Sequence, residues 1–400
     1  MTTKRRLHRP IKRNLKILPF VYFFTYLLPY APIGVILFEK LAGSYLQAMS
    51  VFTVMGLASA LLEVPTGVLS DKWGRRKTMV VGGLLSLINV VMLLGACYSE
   101  HVMWFLYAAA IFQGGAEALY SGNNEALVYE TLAALKRTHT YPKFFGQMNS
   151  MMQAGLAVSG MTGGLVLLSG LPSVALFYVS LGTSFCLVAL SCLLVEPPEK
   201  LVTDTHPFKH IRTAFHEIKK NKKLAYYSLT NMIQMGAMNA NYYFTPGFIG
   251  SVWPTWAAAI FRTAQHGIGS FGFLFAHYVI KRFGPVRSMI GVPLLSNGIS
   301  MIAYWLQNAF SPLLIASAQF SFSTWKTAKS TIEQESFTKE QRATMGSLIS
   351  FGSSIVSGLL SLLMGWMGDH LSLGLTMFIV VAVRSVFVNS SYAFIYRRYK

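Results

Sequence analysis

The sequence predicts an all-α membrane protein of twelve transmembrane helices in two pseudo-symmetric six-helix bundles. Three features carry that expectation: an apolar composition, twelve apolar runs of bilayer length, and basic residues confined to alternate loops. Of 400 residues, 53% are hydrophobic and only 12% charged, against about 25% charged in an ordinary soluble domain. Mean hydropathy is +0.46. Water cannot solvate so much apolar surface, so lipid must replace it over part of the chain. This excludes a cytosolic enzyme, a disordered chain and a secreted disulfide scaffold. Cys97, Cys186 and Cys192 sit inside apolar runs without metal or redox spacing and read as small packing residues.

A span needs about 20 mostly apolar residues. Twelve runs qualify, at 17–38, 45–69, 78–98, 102–131, 144–169, 173–194, 224–246, 255–280, 288–308, 312–335, 344–366 and 372–396. The seventh, ending at Pro246, is the most polar, and the fourth and tenth carry charge. Each run is too long and too continuous for barrel strands, which alternate over about ten residues. The run behind the basic N-terminus lacks a small-residue cleavage site and contains Pro19, Pro29 and Pro32, so it reads as a retained first span.

Net charge is +19, yet no basic stripe carries base-stacking aromatics, and nucleic acid is not an expected partner. With a cytoplasmic N-terminus, 29 of the 34 Lys and Arg fall in the tails and inside loops. Lys40 alone falls outside, and Arg262, Lys326, Lys329 and Arg384 lie within spans. An odd span count would scramble this asymmetry, so both termini are expected in the cytoplasm. The predicted order is a basic tail (1–16), a six-helix bundle (17–194), a cytoplasmic linker (195–223), a second bundle (224–396) and a short tail (397–400).

The bundles read as a repeat. The loop after span 2, Gly67-Val-Leu-Ser-Asp71-Lys-Trp-Gly74-Arg75-Arg76-Lys77, finds a counterpart after span 8, His277 to Arg287. An offset of 210 aligns Asp71 with Lys281, Gly74 with Gly284 and Lys77 with Arg287. Duplicated six-span halves are a transporter trait. On residue chemistry alone, Gly67 and Gly74 allow close approach and a tight turn. Asp71 suits a helix N-terminus, and Arg75 and Arg76 suit carboxylate partners or anionic lipid head groups.

The Gly67–Lys77 segment resembles the signature loop of the major facilitator superfamily, and the lead-in Glu63-Val-Pro65-Thr-Gly67 is similar to that of its bacterial multidrug and metabolite transporters. Ser121-Gly122, Glu125 to Glu130, and Arg342 to Ser347 extend the resemblance over essentially the whole chain. Two departures stand out. Ala110 occupies the position where proton-coupled efflux members often carry Arg, and Ser159-Gly160 stands where antiporters carry Gly-Pro. The resemblance implies a facilitator fold and a loop acting as a conformational latch (Gly67, Asp71, Gly74, Arg75, Arg76), with Glu63, Glu125 and Glu130 as acidic partners.

An ionisable residue inside a span costs ~2.5–3.5 kcal/mol on insertion scales and marks a cavity, a pair or a proton path. In span 4, Gln113, Glu117, Tyr120, Ser121 and Asn124 recur at helical spacing, with Glu117 about midway. In span 10, Lys326, Lys329 and Glu333 share a face. Spans 1, 4, 7 and 10 line the cavity in the resembled family, which makes Glu117 and Lys326 the leading substrate or proton residues. Gln113, Asn124, Tyr26, Tyr30, Asn241 and Arg262 are further candidates. There is no phosphate-binding loop, no catalytic elbow and no paired His or Cys, so neither an enzyme, a metal site nor a cofactor is expected. The expected function is secondary active transport by alternating access in the plasma (bacterial inner) membrane. The favoured form is a monomeric antiporter in contact with membrane lipids, coupling protons to efflux of a small amphiphilic drug or metabolite. The alternatives are proton-coupled uptake of an anionic or zwitterionic nutrient or metal chelate, and a non-transporting receptor or lipid-handling protein.

Overall fold

The structure, a computed structural model, describes residues 2–198, 222–336 and 339–398. Most of the expected linker 195–223, and residues 399–400 of the expected tail, lie outside the described residues. The helices are α1 (Thr2–Tyr26), α2 (Gly34–Ala42), α3 (Tyr45–Trp73), α4 (Arg75–Tyr98), α5 (Val102–Tyr120), α6 (Asn123–Ala134), α7 (Tyr141–Leu168), α8 (Ala175–Cys192), α9 (Lys222–Val252), α10 (Thr255–Phe283), α11 (Pro285–Leu306), α12 (Ser311–Ser336), α13 (Lys339–His370) and α14 (Leu373–Arg398). No strand occurs among the described residues. Nine helical segments there are long and apolar enough to cross a membrane. The remaining long helices α9, α10 and α12 bear the polar and charged residues that lower their hydropathy.

Two compact units form: Met1–Pro32 with Val54–Thr205, and Ile33–Thr53 with His206–Lys400. Packing therefore divides the chain differently from sequence order, because α2 and the first turns of α3 pack with the second unit. The first unit has its core on Leu15, Leu18, Met79, Leu127, Leu132 and Met148, and the second on Leu224, Tyr227, Met289, Trp325, Ile332 and Tyr392. Outward faces are apolar and open (Trp104, Phe185, Leu274, Leu295, Trp305), as a lipid solvent requires.

Two expected spans are not continuous helices. Span 1 breaks between α1 and α2, where Pro29 and Pro32 withhold the N–H groups that helical bonding needs. The freed carbonyls are bonded nonetheless: Ser159 Oγ donates to Leu28 O at 2.6 Å and Thr183 Oγ1 to Leu27 O at 2.8 Å. Ser159, in the place of the glycine of the family's Gly-Pro pair, thus secures the break. Span 4 breaks at Gly122 (φ +67°) between α5 and α6, and Thr66 Oγ1 donates to the adjacent Ala118 carbonyl at 3.1 Å. Span 7, expected to end at Pro246, instead runs on to Val252. A proline costs a helix one hydrogen bond, and here another side chain takes up the freed carbonyl.

The repeat holds at its turns. Gly74 (φ +98°, ψ 152°) and Gly284 (φ +80°, ψ 157°) share a backbone conformation essentially reserved for glycine. Gly67 plays no comparable part: a Cβ there would meet nothing within 4 Å, because the residue sits on an open face of α3. A Cβ on Gly74 would also strike Glu196 Oε1 at 2.6 Å, whereas one on Gly284 meets open space. Gly284→Ala is expected to cost backbone strain alone, about 1–3 kcal/mol, and Gly74→Ala more than that. Thermal unfolding midpoints of the two variants in detergent check the order.

Candidate functional site

In the first unit α5 presents two exposed stripes. One is apolar, Trp104 and Ile111. The other, roughly 130° around the helix at about 100° per residue, carries Gln113, Glu117 and Ser121, of which Glu117 and Ser121 are exposed. Lipid suits the first stripe. The second needs water, a partner or a ligand. Hydrogen bonds lead to Glu117 from across the unit. Asn89 Nδ2, on α4, donates to Tyr30 Oη at 3.0 Å and to Gln113 Oε1 at 3.1 Å, and Gln113 Nε2 points to Glu117 Oε1 at 3.4 Å. Asn89 escaped the sequence reading, although an asparagine in the apolar run Ser-Leu-Ile-Asn-Val-Val is itself a signal. The expected single polar face of span 4 is cut by the break. Tyr120 turns into the core, with its hydroxyl donating to Met79 O at 3.3 Å, and Asn124 restarts a separate helix with its Oδ1 buried and unpartnered. The expected stripe of Tyr26 and Tyr30 is likewise divided: Tyr26 ends α1 exposed, and Tyr30 lies buried beyond it.

The latch gathers at the α3–α4 turn. Arg75 pairs with Glu130 (Nε–Oε1 3.1 Å) and with Asp71 (Nη2–Oδ1 3.0 Å), and its Nη1 donates to Ser70 Oγ at 2.8 Å. Glu130 is buried and Asp71 exposed. Asn123 Nδ2 donates to the Arg75 carbonyl at 3.1 Å. The carboxylate that caps a helix is Glu196: it accepts the Arg75 and Arg76 N–H groups, both at 2.8 Å, at the N-terminus of α4. Two expected partners fall elsewhere. Glu63 accepts from Ser121 Oγ at 3.3 Å, and Glu125 lies within electrostatic reach of Tyr22 and Tyr141. Neither forms an ion pair with Arg75 among the described residues, whereas Glu196, far off in sequence, follows the end of α8 and reaches the turn. Arg76 spends its side chain on Cys192 O at 2.9 Å.

In the second unit Lys329 pairs with Glu333 (Nζ–Oε1 3.2 Å), which also accepts from Tyr227 Oη at 3.3 Å. Lys326 is exposed on the next turn, 5.8 Å from the Phe322 ring. Asn241 leaves its Oδ1 buried and unpartnered. Arg262, 3% exposed, donates from Nη1 to Gln265 Oε1 at 2.9 Å and from Nη2 to the Tyr242 carbonyl. That carbonyl lies four residues before Pro246, and is the one the proline cannot bond. The α2–α3 segment is pinned to this unit by a second carboxylate cap. Asp369, ending α13, accepts the Tyr45 and Leu46 N–H groups at 2.7 and 2.9 Å at the N-terminus of α3. Phe52 stacks on Tyr243 at 4.5 Å, and Thr53 Oγ1 donates to Gly358 O at 3.1 Å.

Residues 17–356 match the sequence profile of the Major Facilitator Superfamily. The chain belongs to that family. Its fold is also that of solved transporters. The nucleoside transporter NupG superposes with a TM-score of 0.79 at 16% identity, covering 98% of this chain and 100% of that one. A bacterial homologue of the human lysosomal transporter Spinster, in an inward-facing unoccupied conformation, gives 0.76 at 15% identity over 97% of each chain. The E. coli fucose:proton symporter FucP gives 0.60 at 13% identity over 96% and 99%. No curated protein sequence matches. A facilitator of this kind is an integral membrane transporter of small solutes.

Removing Arg75 strands the buried Glu130 carboxylate, so Arg75→Ala is expected to cost about 3–5 kcal/mol. Asp71→Asn, at an exposed partner, is expected to cost about 0–1 kcal/mol. Unfolding of the two variants in detergent measures the contrast.

Proposed function

We propose that this chain is a twelve-helix, monomeric secondary transporter that exports a small amphiphilic solute from the cell in exchange for protons. It does so by alternating access across the plasma (bacterial inner) membrane, with both termini in the cytoplasm. The observation that carries the reading is Glu117, a carboxylate in the last turn of α5 on its polar face, held by Gln113 at the end of a hydrogen-bonded chain through Asn89 to Tyr30. A carboxylate there can hold a proton or a hydrogen-bond donor of the solute but not both, which is the competition that exchange requires. One proton crossing ~100 mV supplies roughly 2.3 kcal/mol, enough to drive a solute gradient. Lys326, Gln113, Asn124, Tyr26, Tyr30, Asn241 and Arg262 are the proposed solute contacts.

Alternation is supported by the two carboxylate caps. The Gly74 turn with Arg75, Glu130 and Glu196 is the latch proposed for the first unit, and Asp369 on the N-terminus of α3 is its counterpart within the second. Each cap is a single carboxylate on two backbone N–H groups and so can open without unfolding its helix. A second reading, uptake of an anionic or zwitterionic solute, is favoured by the cationic Arg262, Lys326 and Arg384.

Inverted vesicles with an acidic lumen test the proposal. An exported solute is expected to dissipate the pH gradient, read by a lumenal pH dye, and Glu117→Gln to slow that dissipation at least tenfold. Full coupling in the variant overturns the role of Glu117, and solute leaving the lumen together with protons reverses the direction. Asp369→Asn is expected to speed alkylation of a cysteine placed at Phe52, by loosening α3 from the second unit.

A further inference from the structure

The second unit encloses two guanidinium groups that no carboxylate neutralises among the described residues. Arg262 meets only neutral acceptors: the Gln265 amide, the Tyr242 carbonyl and the face of the Tyr242 ring, 4.1 Å away. Its Nε is buried and has no partner. Arg384, on α14, repeats the pattern, donating from Nη2 to Asn297 Oδ1 at 2.7 Å and leaving its Nε buried and unpartnered. The hydroxyl of the buried Tyr304 lies within electrostatic reach of both guanidinium groups and beside Asn241. Two carboxylates of this unit are engaged elsewhere: Glu333 by Lys329 and Tyr227, and Asp369 by the α3 amides.

A buried charge without a counter-charge is expensive, and removal of the charge by substitution or pairing is the usual remedy. Here Arg262 is such a charge and Arg384 is half-buried, and each holds back the same buried edge, Nε–H. A guanidinium binds the two oxygens of a planar carboxylate or of a phosphate through Nε–H and an adjoining Nη–H in parallel. Tyr242 covers Arg262 and is itself 38% exposed, so a turn of its side chain uncovers the guanidinium without moving the backbone.

We propose that Arg262 and Arg384 form a seat for an oxyanion, the carboxylate or phosphate group of the carried solute, with Tyr242 as its cover and Tyr304 and Asn241 as neutral flanks. The proposal rests on the transport function above and narrows its substrate to solutes bearing such a group. The competing account is structural: Arg262 only braces the carbonyl that Pro246 leaves free, and Arg384 only braces Asn297.

The full-length chain purified in detergent, at constant ionic strength in chloride, separates the two. Benzoate and phenyl phosphate are the probes, with benzamide as the uncharged shape control. At least one anion is expected to raise the unfolding temperature in a saturable way, benzamide to leave it unchanged, and the stronger of the two to tell carboxylate from phosphate. Arg262→Gln and Arg384→Gln, which retain a hydrogen-bond donor, are each expected to weaken that anion at least tenfold. Pro246→Ala restores the backbone bond, so an R262Q/P246A double variant that recovers stability and still fails to bind the anion supports the seat. Equal response to benzoate and benzamide in the unaltered chain, or wild-type anion binding in the double variant, overturns it. Vesicle transport keeps the outcomes apart. Anion binding without solute movement overturns the transport function and leaves the seat, while movement indifferent to the solute's charge does the opposite.

Discussion

Inside a bilayer no water is available to a free N–H or C=O, so each interruption of a helix must be repaid by a side chain. Much of this structure follows from that constraint. The break after α1 exposes the carbonyls of Leu27 and Leu28, and hydroxyls from Thr183 and Ser159 take them up. The break after α5 is served by Thr66. The proline inside α9 frees the Tyr242 carbonyl, and a buried arginine occupies it. In each case a polar side chain within an apolar helix has a backbone partner on another helix.

Helix ends obey the same rule. The first N–H groups of a helix have no internal acceptor and carry the positive end of its dipole. Two of them are met by carboxylates from distant parts of the chain, α4 by Glu196 and α3 by Asp369. These contacts combine charge, dipole and two short hydrogen bonds, yet involve one side chain each. They are strong enough to hold a position and local enough to exchange for water at a membrane surface. A transporter needs joints of that kind, whereas its hydrophobic cores must stay intact throughout the cycle.

The charged groups separate by the same accounting. Lys329 with Glu333, and Arg75 with Glu130 and Asp71, are neutralised within their units. Arg262 and Arg384 are not. Glu117 meets only an amide within its unit. Among the described residues, the groups without a counter-charge thus occupy α5, α10 and α14 rather than the loops.

Helix identity, approximate span positions and the repeat were legible in the sequence, because apolar length and a glycine-only turn are local properties. Gly74 and Gly284 declare themselves by spacing, and their dihedral angles agree. The family signature too is a contiguous segment. Partners were not legible. Glu63 and Glu125 read as latch acids because they fall at the inner ends of their spans, close to the signature loop, but Glu196, some 120 residues on, is the carboxylate that caps α4. Asn89, the bridge to Glu117, gave only the weak signal of one amide in an apolar run. The continuity of spans 1, 4 and 7 was misread for a related reason: hydropathy averages over a window and cannot see whether a freed carbonyl finds a hydroxyl on another helix. Sequence alone determined which segments enter the membrane, since transfer from water depends on composition. Tertiary structure alone decided which polar groups meet there, since in a low-dielectric interior that depends on atoms within about 3 Å of each other and brought together from opposite ends of the chain.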